Sequence, residues 1–462
     1  MQRPPAQFDL PPSFDLGEPP LPRMKWAWWV LAVALIMLVF LELSANDKKG
    51  PAVPPNTARD ESISMKLSAK ALQMKTGQDN KDMKLFDEEV DQLLDASKTD
   101  PNAQKLRIVL RNEDHEKPFS DDLKNLANSK DENNRAFARL FADPPPSKDE
   151  SSELLKKLDT KNIAEKIAMV EVKERLGDKE IREKTFDPTL AMRMGSVVFI
   201  GLVGAIMGMI AWAIYFSKRQ AGLLRPRGLP MADIDWGRAD RLAFVALVLL
   251  LTFVLGGSTL AYLLTGTRAP IDLISFVPVY IAIFICLRVP IFGWRIMPEK
   301  LGVSLKGLQE NLLWALTAFL GNIPIIAAVM MLASILAPYL PGGPHPIGKE
   351  LTDNPSVSNI LMLAVAASIL APIWEEIMFR GLLFPAFTKL LGNPIRAALL
   401  SSFIFASIHP QGVLGILPLM SIALMLCAVS YQTKSLVANM ILHGLHNLAA
   451  LGLALLLGPL LG

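Results

Sequence analysis

"SNILMLAVAASILAPIWEEIMFRGLLFP", residues 358–385, is apolar and long enough to cross a bilayer as a helix. It nevertheless carries two adjacent glutamates, Glu375 and Glu376, and an arginine, Arg380. A helix needs about 20 mostly apolar residues to span hydrocarbon. A charged side chain at its centre costs about 2.5–3.5 kcal/mol on insertion scales. The carboxylate pair therefore needs a compensating partner or a function. Glu376 and Arg380 stand four residues apart, where helical side chains meet and opposite charges pair. Glu375 points about 100° away and has no partner on its own helix. It is the candidate general base.

The rest of the chain repeats the apolar pattern. It has 462 residues, 51% of them hydrophobic, with a mean hydropathy of +0.33. Further apolar runs fall at 26–44, 195–216, 242–264, 272–292, 311–337, 396–409, 412–431 and 436–457. The expected fold is all-α: a polytopic helical membrane protein with about nine transmembrane helices and an α-helical soluble insert. Pro278, Pro324, Pro372 and Pro418 lie inside runs, where neighbouring helices can satisfy the backbone groups they free. Charge is segregated. Of the 91 charged residues, 57 (27 basic, 30 acidic) lie between Ala45 and Leu190. The net charge of +3 and the mixed signs of the insert give no nucleic-acid footprint.

Five regions follow. Residues 1–25 form a proline-rich flexible cytosolic tail. Residues 26–44, preceded by Arg23 and Lys25, form a signal anchor without a small-residue cleavage site. Residues 45–190 form the helical extracytoplasmic insert, residues 195–337 contribute additional transmembrane helices, and residues 355–457 form the catalytic membrane core. In the insert, "KLFDEEVDQLLDAS" and "SELLKKLDTKNIAEKIAMVEVKERL" show helical spacing of apolar residues. Ser147 and Glu150 form a capping-box pattern. Both cysteines, Cys286 and Cys427, lie in apolar runs, so the insert has no disulfide framework. Loop Lys and Arg alternate between high and low, with six in 217–241 and one in 265–271. The positive-inside rule then places the N-terminus in the cytosol and the insert outside.

Between Pro355 and Gly462 the only acidic residues are Glu375 and Glu376, and three of the five histidines, His409, His443 and His446, share that stretch. Counted from a helix end near Thr388, Glu375 lies about 20 Å deep. His409 lies about as deep from Arg396, and His443 lies about 12 Å from Ser435. Asn447 is one turn beyond His443 on the same face. A carboxylate, two imidazoles and an amide converging in a membrane suit water activation and oxyanion stabilisation. The same residues admit structural readings. A lone intramembrane His or Asn also serves as interhelical glue. His446, three residues from His443, suits a metal or a packing and hydrogen-bonding role.

In order along the chain stand E-E-x-x-x-R (Glu375, Glu376, Arg380), F-x-x-x-H (Phe405, His409) and H-x-x-x-N (His443, Asn447). With the flanks "APIWEE", "FRGLLF" and "TKSLVANMILHG", these resemble the CAAX-protease and bacteriocin-processing family, the type II CAAX prenyl endopeptidase group. The resemblance covers about 355–455. It implies an intramembrane endopeptidase in which Glu375 and His409 activate water. It also implies that His443 and Asn447 stabilise the oxyanion, while Arg380 and Glu376 hold the site. The family has been described both as metal-dependent and as metal-free. The sequence lacks H-E-x-x-H, and the expected chemistry is metal-free. Zinc on Glu375, His409 and His443 is the alternative. Expected partners are a membrane protein or peptide substrate, the lipid bilayer and an extracytoplasmic protein for residues 45–190, with no nucleic acid. The expected location is a bacterial plasma membrane. The competing functions are a non-proteolytic bacteriocin-immunity or scaffold protein with the same fold and, less in keeping with the lack of internal repeats, a proton-coupled transporter.

Overall fold

The structure is a computed structural model. It describes residues 20–47, 55–76, 84–159, 162–231, 233–265, 273–336, 351, 356–409 and 411–457. The tail expected over 1–25 lies outside these residues as far as residue 19, as do parts of the loops at 265–271 and 338–357 that entered the orientation rule. The chain divides into two compact units, residues 1–52 with 202–462, and residues 53–201. The described residues contain no strand, only an isolated bridge between Ile291 and Trp294.

The first helix, α1 (Trp26–Asp47), is fixed at its start by one buried carboxylate. Asp240 accepts from Arg23 Nε at 2.7 Å, the Met24 amide at 2.6 Å and Trp28 Nε1 at 2.8 Å. A buried charge is stable only when paired and hydrogen-bonded, and these donors come from three consecutive features of the α1 entry.

The insert is helical, as its periodicity required. Its helices are α2 (Pro55–Thr76), α3 (Asp87–Gln92), α4 (Pro101–Glu113), α5 (Ser120–Ala127), α6 (Glu132–Leu140), α7 (Lys148–Leu155), α8 (Ile163–Arg175) and α9 (Ile181–Thr185). Local chemistry sets several starts. Asp100, Asp131, Ser147 and Asn162 each accept a backbone N–H of the first turn. Ser147 caps Glu150 as the sequence suggested, while the Glu150 carboxylate goes to Arg139. Leu67, Phe86, Leu106, Phe137 and Ile167 fill a separate core. Charges are buried within this unit as pairs: Lys105 with Glu165 at 2.7 Å and Arg182 with Glu113 at 2.8 Å. Burial pushes the Glu171 carboxyl well above its ordinary value, and the Glu113 charge adds to the effect. Burial acts on Glu113 too, but Arg182 and Lys70 hold its carboxyl below the usual range.

The remaining helices are apolar. They are α10 (Leu190–Gln220), α11 (Trp236–Gly257), α12 (Ser258–Thr265), α13 (Val277–Arg288), α14 (Leu308–Leu336), α15 (Val357–Leu391), α16 (Pro394–Ser407), α17 (Gly412–Thr433) and α18 (Leu436–Leu457). Among the described residues six helices are long and apolar enough to cross a membrane: α10, α11, α14, α15, α17 and α18. Three shorter apolar helices, Trp26–Leu41, Leu273–Arg288 and Pro394–Ser407, occupy the other expected spans. The protein is thus a multi-pass helical membrane protein. At 14 residues, α16 is about 21 Å long, short of the roughly 30 Å hydrocarbon core. Pro278 falls in the first turn of α13 rather than in its interior, where its missing N–H costs nothing. The membrane core packs Leu31, Leu242, Val279, Trp374, Phe379, Phe387 and Phe405 together.

Candidate active site

The site is built on α15, and α15 departs from α-helical geometry on either side of the glutamates. Residues Ala366–Leu370 and Ile377–Leu383 form π turns. Such turns recur at functional positions because they re-aim side chains and free backbone groups. Pro372 has no N–H to give to the Ser368 carbonyl four residues back. Side chains of other helices donate to two carbonyls of this stretch. Tyr280 Oη of α13 donates to Leu370 O at 2.8 Å, and Asn447 Nδ2 of α18 donates to Ala367 O at 2.7 Å. Gly444 lies against the Ser368 carbonyl, where a Cβ would stand 2.4 Å from the oxygen. Only glycine lets α18 approach α15 this closely.

One turn further along α15, Glu376 is fully buried and surrounded by donors. Arg380 Nη1 and His443 Nδ1 both reach its Oε1 at 2.9 Å. Asn439 Nδ2 lies 3.3 Å from Oε2 and 2.9 Å from the Leu426 carbonyl. Arg380 is also fully buried. Its second nitrogen donates to Ala423 O at 3.1 Å, and its guanidinium lies 4.8 Å from the Phe405 ring centre. The pairing of Glu376 with Arg380 expected from their spacing is present, and it is one part of a four-member network.

Glu375 lies beside this network, its side chain 13% exposed, with Oε2 3.7 Å from His443 Nε2. His443 thus stands between the two glutamates, one on each ring nitrogen. Phe405 connects the second imidazole to the cluster. Its ring centre is 4.5 Å from that of His409 and 5.7 Å from that of His443. His409 Nδ1 lies 2.6 Å from the Phe405 carbonyl. A carbonyl only accepts, so Nδ1 carries the hydrogen and Nε2 is the basic nitrogen. Asn447 sits one turn beyond His443, with its amide engaged by Ala367 O. His446 is directed elsewhere: Nε2 meets Asn322 Nδ2 of α14 at 3.3 Å, and the ring packs on Phe319. It serves packing and hydrogen bonding between α18 and α14.

A family model described as type II CAAX prenyl endopeptidase Rce1-like matches residues 357–449. The chain carries a domain of the family its motifs resemble. The Rce1-like segment begins with α15 and ends two residues beyond Asn447, so it encloses the cluster residues of α15, Phe405 of α16, His409 just after that helix, and those of α18. The match supports intramembrane endopeptidase activity in general. Comparison with curated proteins and with solved structures gave no match.

Two contributors to the Rce1-like site were not read from the sequence. Asn439 holds Glu376, and the available signal was its place four residues before His443, on the same face of α18 as His443 and Asn447. Tyr280 comes from outside the matched segment, and nothing in its spacing pointed to α15. Of the donors named as a zinc set, Glu375 Oε2 and His443 Nε2 stand 3.7 Å apart. Among the described residues no three His, Cys, Asp or Glu side chains are gathered to hold a metal ion.

Proposed function

We propose that this protein is an intramembrane endopeptidase that cleaves a membrane-associated protein or peptide with water activated by Glu375 and His409. The observation that carries the reading is His443 held between Glu375 and Glu376 inside the matched segment. With His443 protonated, two carboxylates, one guanidinium and one imidazolium sum to zero charge, which a dry interior requires. His443 then donates through Nδ1 to Glu376 and directs Nε2–H toward Glu375. When Glu375 takes a proton from the attacking water, its hold on that N–H weakens. The N–H becomes available to the oxyanion that forms in the same step. Asn447 spends one amide hydrogen on Ala367 O, and its second hydrogen is the companion oxyanion donor. His409, with Nε2 basic, shares the water's proton with Glu375 and returns it to the leaving amine. Arg380, Glu376 and Asn439 fix the orientation of His443 without touching substrate.

The site lies in a bacterial plasma membrane, with the N-terminus cytosolic and residues 45–190 outside as a recognition module for a protein partner. The test compares membrane proteomes of cells carrying wild type and Glu375→Gln. Cleavage products present only with wild type, and equal amounts of folded protein in both strains, are expected. Identical product profiles with both proteins folded would overturn the protease reading in favour of a scaffold or immunity role.

A further inference from the structure

A second concave site lies on the opposite side of α17 from the glutamates. Toward the catalytic cluster α17 presents the Ala423 carbonyl and Cys427, the latter beside Ser402. Toward the other side it presents Met425, Val429 and Gln432, which share a face at helical spacing. There α17, α14 and the part of α10 beyond Leu202 enclose a cavity of about 80 Å³. Its walls include Trp212 and Tyr215 of α10, Trp314 and Gly321 of α14, and Val429 and Gln432 of α17. The rings are fixed. Trp212 Nε1 donates to Gly321 O at 2.8 Å, and Tyr215 meets Trp314 edge-on at 6.4 Å. Nearly all the lining is apolar, so hydrocarbon suits the space and water does not.

Charge gathers at one end. Trp212 and Tyr215 lie eight and five residues before the end of α10 at Gln220, about 12 Å and 7.5 Å along the axis. That is the depth of an aromatic belt at the boundary between hydrocarbon and headgroups. Tyr215 Oη accepts from Arg219 Nη1 at 3.0 Å and lies 3.2 Å from Gln432 Oε1. From Ser217 to Leu229 the chain has Lys218, Arg219, Arg225 and Arg227 and no acidic residue, and Lys218 and Arg219 are exposed.

We propose that this is a site for one anionic phospholipid of the bilayer, with an acyl chain between Trp212 and Trp314 and the headgroup phosphate against Lys218 and Arg219. The cations supply the charge complementarity, and the aromatic walls make a slot for a chain that enters from the membrane. The site is independent of the proteolytic reading. A lipid held there ties α10 to α14 and α17 without contacting the catalytic cluster.

The test is native mass spectrometry of the full-length protein released from detergent after exposure to equal concentrations of phosphatidylglycerol and phosphatidylcholine. Wild type is expected to retain one phosphatidylglycerol in clear preference. Lys218→Gln and Arg219→Gln should each lower that preference about fivefold, the weight of one cation near an anionic headgroup. Ala428→Leu, which fills the cavity from an exposed position on α17, should reduce retention of both lipids. Thr317→Leu does the same from the facing wall and stands in if the first variant misfolds. Equal retention of the two lipids by wild type would overturn the proposal. So would undiminished phosphatidylglycerol retention in a folded cavity-filling variant.

Discussion

Arg380→Met tests the central network most directly. The substitution keeps most of the side-chain volume and its packing on Phe405 but removes the charge. Glu376, with no exposed surface, then keeps the hydrogen bonds from His443 and Asn439 and loses its fixed cation. Removing one partner of a buried pair costs about 3–5 kcal/mol, and the lost hydrogen bond to the Ala423 carbonyl adds about 1 kcal/mol. A destabilisation of about 4–6 kcal/mol is therefore expected, enough to deplete folded protein. Adding Glu376→Gln removes the stranded charge while keeping an acceptor for Asn439. The double variant should recover most of the loss, since a buried pair replaced as a unit is often close to neutral. The assay is SDS-induced unfolding in mixed micelles, read as a double-mutant cycle across wild type, both singles and the double. A single variant as stable as wild type, or a double no more stable than Arg380→Met, would refute the network's energetic role. Recovered stability without recovered activity is the expected pattern, because His443 would have lost the charge that orients it.

The insert's stability should depend on pH through Glu171. Its folded carboxyl is raised above the unfolded value, so its contribution is present below the unfolded value and is lost as pH rises through the folded one. Glu171→Gln should leave stability near pH 4 unchanged and raise it near pH 8, read by hydrogen exchange of residues 84–159 in the full-length protein; an unchanged pH dependence would refute this. Purified enzyme stripped with a strong chelator is expected to keep most of its activity, and loss reversed by zinc alone would make His443 a ligand. A reporter active only outside the cytosol should work when fused near residue 120 and be silent near residue 230; the reverse result would invert the orientation.

The sequence by itself determined what depends on near neighbours along the chain. Apolar runs set the membrane helices, Ser147 set a helix start in the insert, and four-residue spacing set the Glu376–Arg380 pair. These follow from helical geometry, which the local chain carries alone. The motif order also marked Glu375, His409, His443 and Asn447 as one constellation. Only the tertiary structure decided how they face one another. His443 meets Glu376 across 67 positions of sequence and Asn439 meets it across 63. Tyr280 reaches Leu370 across 90. Those contacts depend on where α18 and α13 cross α15. The π turns, Pro372 and the space left by Gly444 set those crossings, and no periodicity encodes them. For the same reason His446, three residues from His443, turns to Asn322 on α14. A helix places two such residues on neighbouring faces, and the helices packed against each face decide which one joins the site.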